Sequence, residues 1–287
     1  MRTHIKDIDH CCVLVRDFAS ARAAFERLGF TVAPFGRHGA EMGTANHTVM
    51  LEQSYLELLG VDTPTDFNRE IRDVLTLREG IAAIALGTCD AEAAVRELTA
   101  AGIAARGPQS VQRPVTLPDG SEAEAAFTIA HFPDVGTPFM QLFCNQILTP
   151  EYVRHPQLTG HPNTAWGIDT IAIVTPTPDT EAATAARYLD AAPLRGTHGT
   201  INVSTGGAPL TYLTAEAVAA RYPGADLSGL AQSGPAVLAL SIRDAQAARA
   251  CLTRSGVPFT ATGDGLVVAP RDACGVLLAL REARPAH

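Results

Sequence analysis

The feature that most constrains the fold of this 287-residue chain is a pattern that recurs along it. In each copy an apolar run ends at an aspartate, an alanine-rich stretch follows, and a glycine comes twelve residues after the aspartate. The copies run from Asp17 to Gly29, from Asp90 to Gly102, from Asp244 to Gly256 and, with alanine in place of glycine, from Asp179 to Ala191. Such apolar runs predict strands, aspartate is a good helix N-cap, and glycine commonly ends a helix. Four copies predict a fold built by duplication.

Each copy continues into further strand-like runs, so the predicted unit is strand, helix and three more strands. Unit one has strands at 8–15, 47–51 and 55–59, and unit two has strands at 81–86, 125–130 and 139–144, with a turn predicted at Asp119-Gly120. Such a unit leaves a curved sheet with a helix on its convex face. Two units side by side would then enclose a cleft, into which every second strand residue points.

The composition supports an ordinary globular protein with two domains. Hydrophobic residues make up 46% and charged residues 18% of the chain, which provides ample core. The segment 148–167 is rich in proline and glycine and suits an interdomain linker. We therefore predict an N-terminal domain at 1–147 (units one and two) and a C-terminal domain at 168–287 (units three and four).

Charge and cysteine usage exclude several classes of partner and location. The net charge of −8 and the lack of a basic run argue against a nucleic-acid partner. No stretch approaches the ~20 apolar residues of a membrane span, and the N-terminus does not read as a secretory signal. The six cysteines are scattered, without a Cys-x-x-Cys pair, so we expect reduced thiols and a cytoplasmic protein. Both a monomer and a homodimer are compatible with the sequence.

Several segments together resemble the glyoxalase-like branch of the vicinal oxygen chelate superfamily. They are Ile8-Asp9-His10, Gly43–His47, Tyr55–Leu59, Phe143–Gln146, Leu148–Glu151 and His161–Asn163, within a resemblance that extends from about Ile8 to Glu282. The resemblance implies an α+β fold in which four βαβββ units pair into two glyoxalase/bleomycin-resistance-like domains. It says less about the reaction, because this superfamily hosts lyases, isomerases, dioxygenases and metal-free binding proteins.

The resemblance also implies a divalent metal, held by His10 of the first strand and Glu57 of the last strand of unit one. From the residues alone, His10 reads as a hydrogen-bonded core histidine, but Glu57 lies on an apolar strand where a carboxylate needs a partner or a metal. The second unit offers Gln141 and Gln146 where a carboxylate or histidine is expected. In units three and four, Thr170 and Ala279 replace the ligands, which predicts that any metal site there is lost.

Further candidate site residues follow from their places on the strands of unit one. His47 precedes Glu57 by one strand and could act as a base or orient substrate, as could Glu57 itself; the alternative is a histidine near solvent at a strand start. Cys12 should point into the same cleft as His10, although cysteine usually behaves as a small core residue. We predict that Cys12, Tyr55, Gln141 and Gln146 contact the substrate.

The sequence thus favours a metal-dependent glyoxalase-like enzyme, a lyase, isomerase or dioxygenase, acting on a small oxygenated metabolite through chelation of two adjacent oxygens. Zn²⁺, Mn²⁺, Fe²⁺ and Ni²⁺ all suit mixed imidazole and carboxylate ligands, and no organic cofactor is expected. The alternative is a metal-independent protein of the same fold that binds or sequesters a small molecule, because the second unit lacks clear ligands.

Overall fold

The fold is described by a computed structural model that covers residues 1–117 and 120–282. Asp119 of the predicted turn and residues 283–287 of the predicted C-terminal domain lie outside the described residues. The first half contains β1 (Ile8–Leu14), α1 (Phe18–Arg27), β2 (Gly36–Arg37), β3 (Thr44–Met50), β4 (Tyr55–Val61), α2 (Arg69–Leu77), β5 (Gly80–Gly87), α3 (Ala91–Ala100), β6 (Arg106–Thr116), β7 (Glu122–His131) and β8 (Gln141–Ile147). The second half contains α4 (Pro150–Val153), β9 (Ala165–Val174), α5 (Pro178–Leu189), β10 (Leu194–Arg195), β11 (Ile201–Val203), β12 (Leu210–Leu213), α6 (Ala215–Arg221), β13 (Gly234–Ile242), α7 (Ala245–Arg254), β14 (Thr260–Thr262), β15 (Gly265–Val268) and β16 (Leu277–Glu282).

The strands form two eight-stranded sheets with the same topology, which confirms the α+β class and the four βαβββ units. The orders are β2-β3-β4-β1-β5-β8-β7-β6 and β10-β11-β12-β9-β13-β16-β15-β14. In each sheet the first strands of two units pair antiparallel at the centre, and each first strand pairs parallel with the last strand of its own unit. The edge strands β2 and β6 contact each other, so the first sheet curves around its cleft.

Helix starts and ends follow the predicted pattern in units one, two and four. The carboxylates of Asp17, Asp90 and Asp244 accept hydrogen bonds from backbone N–H groups of the first helical turn. The glycine after α1, Gly29, has a φ of +87°, a left-handed conformation that side chains disfavour.

Unit three departs from the prediction at both ends of its helix. The N-cap is Thr177, followed by Pro178 at the first helical position, so the expected cap Asp179 lies inside α5. Proline suits that position because its missing N–H would be unpaired there. The left-handed residue after the helix is Asp190, with a φ of +51°, and not Ala191; aspartate tolerates this conformation better than alanine.

The segment between the two sheets is packed against the first half. Strand β9 begins at Ala165, so the segment between the sheets runs from 148 to 164. Its helix α4 buries Val153 against Met50, Tyr55 and Phe127. The linker therefore covers one end of the first sheet's cleft.

The two halves share one hydrophobic core and are tied together by buried polar contacts. The helices and convex sheet faces of both halves contribute to a single cluster of buried residues. The hydroxyl of Thr137 donates to the buried carboxylate of Glu181 at 2.5 Å, and the hydroxyl of Tyr188 donates to the carbonyl of Asp134 at 2.9 Å. The loop that follows β7 is thus held in place by α5 of the second half. No helix in the described part of the chain is both long enough and apolar enough to cross a membrane.

Candidate metal centre

Strand register brings four predicted side chains of unit one to the same concave face. In the parallel pairing of β1 and β4, His10 lies beside Tyr55 and Cys12 lies beside Glu57. Residues two apart on a strand share a face, so these four side chains form one cluster. All four residues are buried.

Glu57 is the hub of this cluster, because each of its carboxylate oxygens has its own partners. The Cys12 thiol donates to Oε2 at 3.1 Å, and Nε2 of His10 lies 3.9 Å from the same oxygen. Oε1 accepts a short hydrogen bond from the side-chain amide of Asn46 and lies 3.4 Å from Nε2 of His38.

The hydrogen bonds around Glu57 keep its carboxylate charged. Burial by itself raises the pKa of Glu57, but the hydrogen bond and electrostatic attraction of His38, the electrostatic attraction of His10 and the amide of Asn46 together hold the pKa well below its ordinary value. Burial and the nearby Glu57 raise the pKa of the Cys12 thiol well above its ordinary value. Glu57 is thus a carboxylate that accepts a hydrogen bond from the neutral thiol of Cys12.

His10 is oriented by Asp9, a residue that sequence reasoning did not single out for a role. Nδ1–H of His10 donates to the Asp9 carboxylate at 2.7 Å, and the other ring nitrogen, Nε2, lies on the side of Glu57. Asp9 also accepts hydrogen bonds from Asn145 at 3.0 Å and from Arg154 of the linker segment. Burial raises the pKa of Asp9, but His10, Arg154 and Asn145 together lower it below its ordinary value, so Asp9 stays ionised.

The donor atoms of the cluster fit a divalent metal. One ligand atom each from His10, Cys12 and Glu57 lie within 4.8 Å of one another. An ion bound at about 2.0–2.3 Å from imidazole, thiolate and carboxylate atoms separates its ligands by about 3–4 Å, so small side-chain shifts suffice. A carboxylate on the far ring nitrogen, as Asp9 provides, is the usual support of a metal-bound histidine.

A cavity of about 440 Å³ adjoins this cluster at Cys12. Its walls come from β1, β4, β5, the helix α2 and the loop 134–141. Apolar side chains such as Leu14, Leu59 and Val74 line most of it, with Glu70 and Gln141 among the polar groups. Gln141 donates to Glu70 at 3.2 Å. Gln141 therefore lies in the cavity wall, and its contact with a substrate stays a prediction.

Two predicted site residues lie on the other face of the sheet. His47 is directly opposite Leu58 in the β3–β4 register, whereas Glu57 is opposite Thr48. Its Nδ1–H donates to the carbonyl of Ala33 at 2.9 Å, so the expectation that His47 reaches the cleft as a base is wrong. Gln146 also faces away from the cleft: its side chain accepts from the N–H of Ala91 at 3.0 Å and donates to the carbonyl of Cys89 at 2.9 Å. It stabilises the start of α3 rather than contacting a substrate.

Tyr55 lies in the cleft but is covered. Its ring stacks on His10 with centroids 4.4 Å apart, and the guanidinium of Arg154 lies 5.3 Å from the centre of the ring. Burial, with the charges of Asp9 and Glu57, raises the pKa of its hydroxyl well above the ordinary value. Tyr55 therefore packs the imidazole in place, and its predicted contact with a substrate remains a prediction.

At the positions that correspond to His10 and Glu57, the second unit carries no metal-ligating side chain. Aligning the helix caps Asp17 and Asp90 makes Ala83 the counterpart of His10. Phe143, which lies beside Ala85 in the register, then corresponds to Glu57. The Phe143 ring packs edge-on against His10, with centroids 5.6 Å apart. Coordination positions on this side are thus left without a protein ligand.

In the described part of the second half, other side chains replace the cluster and fill the cleft. The register of β9 and β12 places Thr170 and Thr211 at the positions of His10 and Glu57, and their hydroxyls bond each other at 2.8 Å. Helix α6 and the following segment bury Val218, Tyr222 and Leu230 against the concave face, on which Ala279 also lies. Apolar side chains fill the hollow that stays open in the first half.

Comparison with known proteins gives the family. The sequence model described as "Glyoxalase-like domain" matches residues 8–189. The chain belongs to the glyoxalase-like branch of the vicinal oxygen chelate superfamily. No curated protein sequence matches the chain.

Solved structures share the fold across the whole chain at low sequence identity. A hypothetical protein from Staphylococcus aureus matches with a TM-score of 0.68 at 13% identity, covering 96% of this chain and 99% of that one. A mutant of 4-hydroxymandelate synthase from Streptomyces coelicolor matches with a TM-score of 0.59 at 14% identity, covering 99% of this chain and 94% of that one. A xylose isomerase-like TIM barrel/4-hydroxyphenylpyruvate dioxygenase fusion protein matches with a TM-score of 0.60 at 16% identity, covering 99% of this chain but 49% of that protein. At these identities the likeness shows the fold alone.

Proposed function

We propose that this glyoxalase-like protein is a metal-dependent enzyme that acts on a small oxygenated compound. His10 and Glu57 would hold the metal, and two adjacent oxygens of the substrate would take positions that the protein leaves open. The observation that carries the proposal is the oriented pair itself, an imidazole fixed by Asp9 and a buried carboxylate 3.9 Å away. A buried carboxylate with this support is unusual in a purely structural role.

In the proposed centre His10 and Glu57 would bind the metal, and Asp9 would orient His10. When bound, the metal would polarise a carbonyl or hydroxyl oxygen of the substrate and stabilise the negative charge that develops there. Because the pKa of Glu57 is lowered, this carboxylate is a better ligand than proton acceptor. We therefore propose Glu57 as a metal ligand and not as the base. The Asp9 carboxylate fixes the tautomer of His10, and its negative charge would stabilise the positive charge that the imidazole gains when Nε2 binds the metal.

The cavity beside the centre favours a small and largely apolar substrate. Its volume of about 440 Å³ lies in the range of small-molecule sites. Leu14, Leu59 and Val74 supply apolar contacts. The acidic residues Glu70 and Asp134 also line the cavity and disfavour a negatively charged substrate. A neutral compound with vicinal oxygens, such as a hydroxy-ketone or a catechol, meets both conditions. Holding both oxygens in this way would suit a lyase, an isomerase or a dioxygenase.

A metal-independent small-molecule binding protein is the second candidate. It is favoured by the second unit, which has Ala83 and Phe143 in place of ligands, and by the complete set of donors around Glu57. Under this alternative the cluster would be a closed hydrogen-bond network, and the cavity alone would bind the compound.

Elemental analysis of the purified protein, with calorimetric titration of Zn²⁺, Fe²⁺, Mn²⁺ and Ni²⁺, separates the two candidates. The test variants are His10→Gln and Glu57→Gln. His47→Gln is a matched control for the first, because both histidines are 4% exposed but lie on opposite faces of the sheet. Glu181→Gln is the matched control for the second, since it removes a buried carboxylate of the other half.

The proposal predicts one equivalent of metal per chain, lost in both test variants and kept in both controls. A wild-type protein that binds none of these metals, yet gains thermal stability from catechol or a hydroxy-ketone, would establish the binding protein instead. Oxygen consumption by the iron-loaded protein with catechol then distinguishes a dioxygenase from a lyase or isomerase.

A further inference from the structure

We propose that Cys12 is the third protein ligand of this metal, so that unit one alone supplies an imidazole, a thiolate and a carboxylate. The inference rests on the proposed metal at His10 and Glu57 and adds a ligand that was expected to contact substrate. It changes both the chemistry of the centre and the metals that suit it.

The position of the sulfur is the first argument. Cys12 is 3% exposed and shares the concave face with His10. Its Sγ lies 3.1 Å from Oε2 of Glu57, the one carboxylate oxygen that also faces His10. An ion placed between these three atoms replaces the thiol proton, which passes to solvent.

The counterparts of Cys12 in the other units give the second argument. Register and helix caps place Ala85, Ala172 and Ala239 at the same position of units two, three and four. Packing at this position is thus satisfied by a methyl group. A thiol occurs only in the unit that also carries His10 and Glu57, which a packing role does not explain.

The number of ligands gives the third argument. His10 and Glu57 alone provide two protein ligands, because Ala83 and Phe143 of unit two provide none. Catalytic zinc sites commonly have three protein ligands and an open position for water or substrate. Cys12 completes such a set without any contribution from unit two.

Charge balance gives the fourth argument. Asp9 is already paired with Arg154, so it does not offset the charge of the metal. A dication held by the Glu57 carboxylate and the Cys12 thiolate is neutral overall, and a neutral centre avoids the high cost of a buried net charge. Thiolate ligation favours Zn²⁺, Fe²⁺ and Co²⁺ over Mn²⁺.

Cobalt substitution of the full-length protein tests this ligand directly. Co²⁺ bound by a thiolate gives a strong charge-transfer absorption in the near ultraviolet, whereas imidazole and carboxylate ligands give only weak visible bands. The test variant is Cys12→Ala, which introduces the residue found in the three other units. Cys11→Ala is the matched control, because Cys11 is the adjacent buried thiol on the opposite face. The exposed Cys89 is replaced by serine in every protein to prevent adventitious binding.

The inference predicts the charge-transfer band in the parent and in Cys11→Ala, its loss in Cys12→Ala, and at least a tenfold weaker Co²⁺ affinity in that variant. Visible bands that depend on His10, without any charge-transfer band in the parent, would overturn the role of Cys12 while leaving the metal at His10 and Glu57 intact. Absence of Co²⁺ binding in every protein would overturn the role of Cys12 and the proposed function together. Thermal unfolding of each variant without metal identifies any loss of binding that comes from misfolding.

Discussion

At the scale of single residues, Asp9 links the candidate ligand His10 to the segment that joins the two halves. Its carboxylate accepts from Nδ1 of His10, from Asn145 and from Arg154. Arg154 in turn lies over the ring of Tyr55. The orientation of the imidazole therefore depends on a residue of the linker, about 145 positions along the chain.

Replacing Asp9 by asparagine should weaken metal binding without removing a ligand. We expect Asp9→Asn to lower the affinity for Zn²⁺ by roughly 10–100-fold, because the amide no longer fixes the tautomer of His10. The measurement is the dissociation constant from a competition titration with a chelator. Asp169→Asn is the matched control, since Asp169 occupies the same position in unit three and pairs with Arg281 at 2.8 Å. Equal affinities in all three proteins would contradict this role.

Strand alternation predicted that Cys12 shares a face with His10, and the family resemblance paired His10 with Glu57. Sequence reasoning missed His38 and Asn46, which complete the bonding of Glu57. His38 lies in a connecting segment whose path depends on tertiary contacts, among them its 2.7 Å hydrogen bond with Thr44. It misplaced His47, because the register that turns Thr48 toward Glu57 cannot be read from one strand alone. The proximity of Asn46 and Glu57 on sequential strands was a usable signal.

At the scale of helices and strands, the recurring glycine after the helix is crowded in unit one and open in unit two. Gly29 and Gly102 both have a positive φ, of +87° and +71°. A Cβ at Gly29 would lie against the sulfur of Cys251 and 3.0 Å from the Cβ of Asn163, whereas a Cβ at Gly102 meets nothing within 4 Å. The first glycine thus allows the two halves to approach closely.

Substituting alanine at these glycines should separate backbone strain from crowding. We expect Gly102→Ala to cost about 1 kcal/mol, from its left-handed backbone alone. Gly29→Ala should cost about 1–3 kcal/mol more, because the methyl group must displace Cys251 and Asn163. The measurement is the free energy of unfolding from denaturant titration. If the two variants cost the same, α1 and the second half are less tightly packed than described.

The linker is fixed to the first half through His161, which has to be neutral to make both of its hydrogen bonds. Nδ1 accepts from the N–H of Thr31 at 3.0 Å, and Nε2–H donates to the carbonyl of Met50 at 2.8 Å. Burial lowers the pKa of His161 below its ordinary value of 6.5, an effect opposed in part by the bond to Met50. Protonation of Nδ1 would bring two N–H groups face to face, and the hydrogen bond from Thr31 would be lost.

Stability should therefore fall on acidification in a way that depends on His161. Because the folded-state pKa is the lower one, its contribution is fully present above the unfolded pKa and is lost as the pH falls through the folded pKa. We expect the loss of unfolding free energy between about pH 7.5 and about pH 5 to be smaller in His161→Asn than in the wild type. His198→Asn, at an exposed position, serves as control and should follow the wild type. A profile in His161→Asn that parallels the wild type would contradict the assignment of neutral His161.

Helices and strands were predicted correctly where the sequence pattern that specifies them is local, and were missed elsewhere. The aspartate caps at 17, 90 and 244 and the apolar runs of the strands are local patterns, and the structure confirms them. Helices α2 and α6 went unpredicted, because they lie between repeat units. Unit three begins its helix at Thr177 and Pro178, and proline at the first helical position carried that signal more clearly than Asp179.

At the scale of the whole molecule, duplication has produced two half-molecules with the same topology and different interiors. In the first, α2 buries no side chain completely and lines a cavity beside the cluster. In the second, α6 and the residues after it fill the concave face. The second half instead supports the cavity wall, since Glu181 and Tyr188 hold the loop 134–141 in place.

The duplication and the loss of ligands from the second half were readable from the sequence, because both depend on residue types at repeated spacings. The occupation of the second cleft was not, since it depends on where the segment 215–231 packs. The domain boundary at 147 and 168 stays a prediction, although the two sheets divide the chain nearby.

The most direct test of the central claim is the location of the metal in crystals of the full-length protein. Anomalous diffraction recorded at the absorption edge of zinc or iron, after loading with that ion, gives its position. The account predicts one peak per chain, about 2.0–2.3 Å from Nε2 of His10 and from a carboxylate oxygen of Glu57, and none near Thr170 and Thr211. A fully loaded protein whose peak lies elsewhere, or a crystal without any peak at these residues, would contradict it.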